Sequence, residues 1–122
     1  MAHRSRVCCV LFDAGSEAYE ATAKFWSRAL GRPLTFDPED DYTKLSGDID
    51  YMVQRVAPGR EGMHIDIETD DLEAEVARLE KLGAKVRGKV KRWYVLEDPS
   101  GNPFCVVNIQ SQDWPAGSSE WP

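Results

Sequence analysis

The chain is short of the residues on which most catalytic signatures depend. It has only two histidines. One of them, His3, stands in the opening segment, which leaves little material for a histidine-based nucleophile triad. No GxSxG elbow, phosphate-cradling glycine loop, HExxH or CxxC occurs in the sequence, so the commonest hydrolase, nucleotide-binding and zinc-protease motifs are excluded. No apolar run approaches the ~20 residues that span a bilayer, and Met1 to Arg6 lacks the hydrophobic segment of a signal peptide. A cytoplasmic protein without membrane association is the expectation. Three cysteines, two of them adjacent at Cys8 and Cys9, make a poor disulfide framework and suit a reducing compartment. In a strand those two neighbours face opposite sides, so they are not expected to act as a redox pair.

Positive charge is also in deficit. The formal net charge is -6, whereas binding to nucleic acid needs a local excess of Lys and Arg. The one basic cluster, Arg87 to Arg92, alternates Lys89 and Lys91 with Gly88 and Val90. It reads as a solvated edge strand whose lysines discourage edge-to-edge pairing.

What is present is an ordinary globular composition, 42% hydrophobic and 30% charged in 122 residues, which fits one domain with a packed core. Val7 to Phe12 reads as a strand, and Asp13 to Ser16 as a turn into a helix cap. Ala18, Thr22, Phe25, Trp26 and Ala29 recur at helical spacing up to Gly31. Three strands are predicted next, at Leu34 to Asp37, Tyr42 to Leu45 and Asp50 to Val56. The pattern then restarts. Met63 to Glu68 alternates as a strand, and Asp70 with Glu73 has capping-box spacing before a helix carrying Leu72, Val76 and Leu79 on one face. Strands follow at Lys85 to Val90, Trp93 to Glu97 and Phe104 to Ile109, with a turn at Asp98 to Asn102. Residues 111–122 read as an irregular tail in which Trp114 and Trp121 have the means to dock.

Superposing Leu30-Gly31 on Leu82-Gly83 aligns two copies of one unit, strand, helix and three strands, over about residues 5–57 and 62–110. Such a pair can place its helices outside curved sheets and leave a concavity for a ligand.

Three stretches together resemble glyoxalase-like members of the vicinal oxygen chelate superfamily: Phe25-Trp26-Ser27-Arg28-Ala29-Leu30-Gly31; His64-Ile65-Asp66-Ile67 running into Asp70-Asp71-Leu72-Glu73-Ala74-Glu75-Val76; and Asp98-Pro99-Ser100-Gly101-Asn102-Pro103-Phe104-Cys105. The resemblance implies an α+β fold of paired βαβββ modules whose sheets curl around a central pocket. It also implies one metal-ligand position on the first and last strand of each module, and these fall on Cys9, Met52, His64 and Cys105. The family's metal sites use His, Glu and sometimes Gln, and here only His64 conforms. No carboxylate stands at Met52 or Cys105, so neither the usual divalent ion nor any other cofactor is expected. If a metal is bound, Cys9, His64 and Cys105, with Met52 as a weak fourth donor, suit zinc or copper(I). The same thiols and thioether also suit the packing of a dry pocket floor.

Candidate ligand contacts are Cys9, Met52, Gln54, His64, Trp93, Tyr94 and Cys105. His64 is the candidate general base or orienting donor. Gln54 shares the strand face of Met52, and one of the neighbours Trp93 and Tyr94 can line the cavity. The resemblance implies a homodimer that encloses a small organic molecule. The alternative is a lyase, isomerase or dioxygenase acting on a small oxygenated metabolite, with His64 as base or metal ligand.

Overall fold

A computed structural model describes residues 2–47 and 49–122. The chain is α+β, and its backbone groups into two compact units, Cys9–His64 and Met1–Cys8 with Ile65–Pro122. Strand β1 (His3–Ala14) contributes its second half to the first of these.

In the Cys9–His64 unit, β1 leads into α1 (Tyr19–Leu30), β2 (Tyr42–Leu45) and β3 (Asp50–Arg55). β3 runs parallel to β1 and antiparallel to β2. The buried stripe of α1 is Tyr19 and Ala23, continued by Trp26, while Phe25 is 61% exposed. That stripe is displaced from the expected one because the helix packs through Trp26, whose ring stacks on Phe12 at 4.1 Å, and through Tyr19, whose hydroxyl meets Thr43 Oγ1 at 2.9 Å. No side chain caps the helix at Ala18, so the expected cap near Ser16 is absent. Gly31 ends the helix in the left-handed region at φ 67°, where a residue without Cβ has no steric penalty. The strand predicted at Leu34 to Asp37 reduces to one bridge between Leu34 and Leu45. Pro33 and Pro38 bracket the segment and cannot donate to a ladder, and Phe36 packs instead against Tyr19.

The other unit repeats the scheme. β4 (Gly62–Thr69) leads into α2 (Leu72–Lys81), β5 (Lys85–Val90), β6 (Trp93–Glu97) and β7 (Pro103–Asn108). β7 is parallel to β4 and antiparallel to β6. Both units thus lay their last strand parallel to the first; the second is a full βαβββ module, and the first is βαββ with the single Leu34–Leu45 bridge where its second strand would stand. Val76, Leu96 and Val106 form the core under α2, flanked by Leu72, Leu79, Tyr94 and Phe104. Asp71, not Asp70, is the N-cap, accepting from Ala74 N at 3.1 Å. Asp70 accepts from Arg4 N at 2.9 Å instead, so the capping-box spacing is present without the box. β5 is exposed along its length at the end of the strand order and carries the basic cluster, with Arg87 paired to Glu97 at 2.6 Å.

The tail is not irregular throughout. β8 (Ser119–Trp121) pairs antiparallel with His3 to Ser5 of β1. Two fully buried carboxylates organise this end of the unit. Glu68 accepts from the backbone N–H groups of Gln110 and Ser111, the Ser111 hydroxyl and Arg6. Glu75 accepts from Nε and Nη2 of Arg78, each at 2.8 Å, and meets His3 Nε2 at 2.8 Å. Arg78 stacks 3.9 Å from the Trp121 ring, whose Nε1 donates to Ser5 Oγ. Apart from Arg78 with Glu75, these side-chain contacts join partners 42 to 116 positions apart, which local patterns do not reveal. Among the described residues no helix is long and apolar enough to cross a membrane.

Candidate functional site

Strand alternation sorts the side chains of the Cys9–His64 unit into two faces. Phe12, Ala14 and Val53 pack with Tyr19 and Ala23 of α1. Cys9, Leu11 and Asp13 on β1, with Met52 and Gln54 on β3, therefore occupy the face opposite α1. Strand register arranges that face in rows. Asp13 pairs with Gln54 and Gln54 with Tyr42; Leu11 pairs with Met52 and Met52 with Lys44; Cys9 pairs with Asp50.

The rows differ in chemistry. Leu11 is buried and Met52 partly so, giving an apolar strip. Along its border, Gln54 Nε2 donates to Tyr42 Oη at 3.1 Å, and Asp13 Oδ2 lies 2.6 Å from His64 Nδ1. The Asp13 side chain is 9% exposed and that of His64 15%. On the other side, Lys44 Nζ pairs with Asp50 Oδ1 at 3.2 Å. The second carboxylate oxygen of Asp13 is buried and makes no hydrogen bond among the described residues, although a buried carboxylate oxygen ordinarily finds a donor.

The sequence-derived residues divide between the units. Cys9, Met52, Gln54 and His64 belong to the unit just described, with Cys9 buried and its Sγ 3.8 Å from the Val10 carbonyl. In the other unit, Tyr94 sits on the α2 side of the sheet and its hydroxyl donates to Glu73 at 2.7 Å. Trp93, its strand neighbour, takes the opposite face. Cys105 also lies opposite α2, between the core residues Phe104 and Val106, with Asp66 as its register partner on β4. Leu11 with Met52 and Asp66 with Cys105 are equivalent pairs in the two modules, and Cys9 and His64 each stand two residues earlier.

Sequence reasoning missed Asp13. Asp13-Ala14-Gly15-Ser16 carries strong turn composition, yet β1 continues through Ala14. The available signal was period two: Cys9, Leu11 and Asp13 follow one another on one strand face.

The fold family often uses a divalent ion, so its donor set can be tested against these residues. In the Cys9–His64 unit the carried-over positions hold a thiol and a thioether, the thiol lies against a backbone carbonyl, and the imidazole is engaged through Nδ1 by Asp13. This set does not fit a hard ion, which takes oxygen ligands. Asp66 places a carboxylate next to Cys105 in register, but at neither of the carried-over positions.

Two strand–helix–sheet modules with equivalent strand registers define the class. Residues 9–107 match the family model for the glyoxalase-like domain. The chain belongs to that family. A search of curated proteins gave no match. Solved structures show the same fold at low identity. A protein from Legionella pneumophila described as an NAD-dependent benzaldehyde dehydrogenase aligns with TM-score 0.62 and 11% identity, covering 84% of this chain and 98% of its own. A glyoxalase/bleomycin resistance protein/dioxygenase superfamily member from Vibrio splendidus 12B01 aligns with TM-score 0.58 and 15% identity, over 86% and 99%. A methylmalonyl-CoA epimerase aligns with TM-score 0.55 and 14% identity, over 86% and 95%. At these identities the likeness concerns the fold, since one fold hosts many chemistries.

Proposed function

We propose that the chain binds a small organic molecule on the face of the Cys9–His64 unit opposite α1, without the family's usual divalent ion. The observation that carries this reading is the 2.6 Å contact between His64 Nδ1 and the nearly buried Asp13. An acidic partner fixes both the orientation of an imidazole and the tautomer with its proton on Nδ1, making Nε2 the accepting nitrogen. Beside that pair, Leu11 and Met52 supply apolar surface, while Gln54 and Tyr42 supply neutral hydrogen-bonding groups. An apolar floor with a few fixed polar groups is the usual make-up of a small-molecule site.

The same contact favours a second reading, an enzyme in which His64 takes a proton from the bound molecule through Nε2. Asp13 would then orient the base and stabilise the imidazolium that forms. Thermal-shift screening of a metabolite set, with and without added divalent ions, separates the readings. Stabilisation by organic compounds that is independent of metal and lost in His64→Ala supports binding at this face. Turnover of a stabilising compound, abolished in His64→Ala, supports the enzyme. Stabilisation that appears only with a divalent ion contradicts both. A homodimer also belongs to the proposal, and sedimentation tests it.

A further inference from the structure

Charge on the same face restricts what it can hold. Asp13 and Asp50 bring two carboxylates, Lys44 is 57% exposed and already paired with Asp50, and His64 is paired with Asp13. With the imidazole neutral, the face carries one net negative charge; with it protonated, none. Neither state leaves a cation uncommitted to a carboxylate among these residues. The hydrogen-bonding balance points the same way. Gln54 donates its amide hydrogen to Tyr42, which leaves its carbonyl oxygen as an acceptor, and Asp13 Oδ1 is a buried acceptor with no donor among the described residues.

We infer that this face selects a neutral or cationic ligand that donates hydrogen bonds, and discriminates against carboxylates and phosphates. The inference rests on the proposed binding face and adds the charge class of its ligand. An anion brought beside Asp13 meets like charge in a nearly buried setting, where Coulomb terms exceed their value in water, and at the other end of the face Asp50 already engages Lys44, the one lysine that could attract it. A hydroxyl, amide or ammonium group instead meets the Gln54 carbonyl and the Asp13 carboxylate, and hydrogen bonds to an ionised acceptor are the stronger kind.

Three probes of similar size test it: benzamide, benzylamine and benzoate, titrated into the full chain while the ring signals of His64 are followed by long-range 1H–15N NMR. Benzamide and benzylamine are expected to move the His64 signals and to bind at least about tenfold more tightly than benzoate. In Asp13→Asn, and separately in Asp50→Asn, the gap between benzylamine and benzoate narrows. Benzoate binding as tightly as benzylamine, with His64 shifted, overturns the charge rule and leaves the binding face standing. If none of the three moves His64, the face itself is wrong and the inference falls with it. A gap unchanged in both variants overturns the assignment to these carboxylates.

Discussion

Asp13 Oδ2 lies 2.6 Å from His64 Nδ1, joining residues 51 positions apart in sequence. The contact holds the imidazole from behind, and its removal has two separable effects. Asp13→Ala is expected to lower stability by about 1–3 kcal/mol, the cost of leaving a largely buried partner unsatisfied. It also releases the Nδ1-protonated tautomer. Denaturant titration reads the first effect and imidazole 15N shifts read the second; a variant in which the tautomer is unchanged contradicts the role given to Asp13.

The buried carboxylates of the other unit predict a dependence on pH. Burial alone pushes the Glu68 carboxyl up, but Ser111, the Gln110 N–H and Arg6 together outweigh it and hold the group below its ordinary 4.5. Glu75 behaves alike: burial raises it, and Arg78, His3 and Ser5 bring it down past that same value. A carboxyl depressed by folding adds stability that is complete above the unfolded value and is lost as pH falls through the folded one. Protection of the 110–121 segment should therefore decay below about pH 4.5, in hydrogen exchange or tryptophan fluorescence. In Glu68→Gln that acid dependence becomes shallower; an undiminished slope places it elsewhere.

Trp121 anchors β8 through its stack on Arg78 and its bond to Ser5. Trp121→Ala should cost about 2–4 kcal/mol, combining lost apolar burial with the cation–π contact. Chemical denaturation measures it. A change below about 0.5 kcal/mol, the scale of ordinary surface substitutions, means that the strand is not an anchor.

Gly31 offers a cleaner test of backbone energetics. A Cβ there meets nothing within 4 Å, so the cost of Gly31→Ala comes from its φ of 67° alone. About 1 kcal/mol of destabilisation is expected.

Much of this fold is legible in the sequence. Tyr42 to Leu45, Lys85 to Val90 and Trp93 to Glu97 alternate or branch strongly enough to set their strand bounds, and the paired Leu-Gly positions fall at the ends of the two helices. Aligning them makes Leu11 equivalent to Asp66 and Met52 to Cys105, and the strands pair Leu11 with Met52 and Asp66 with Cys105. What escapes is whatever depends on distant partners. Asp13 looks like a turn residue until β3 extends β1 past it, Asp70 looks like a cap until Arg4 claims it, and β8 hides in a tail rich in Ser and Pro. Local composition ranks local conformations; it carries no information about a neighbour that arrives from another part of the chain.

A crystal structure of the chain with a compound found by the thermal-shift screen tests the central claim most directly. The account predicts the compound against Leu11 and Met52, with a polar atom within hydrogen-bonding distance of His64 or Gln54 and the Asp13 contact to Nδ1 kept. A compound seated on the α1 side of the sheet, or His64 turned away from Asp13 when it binds, would contradict it.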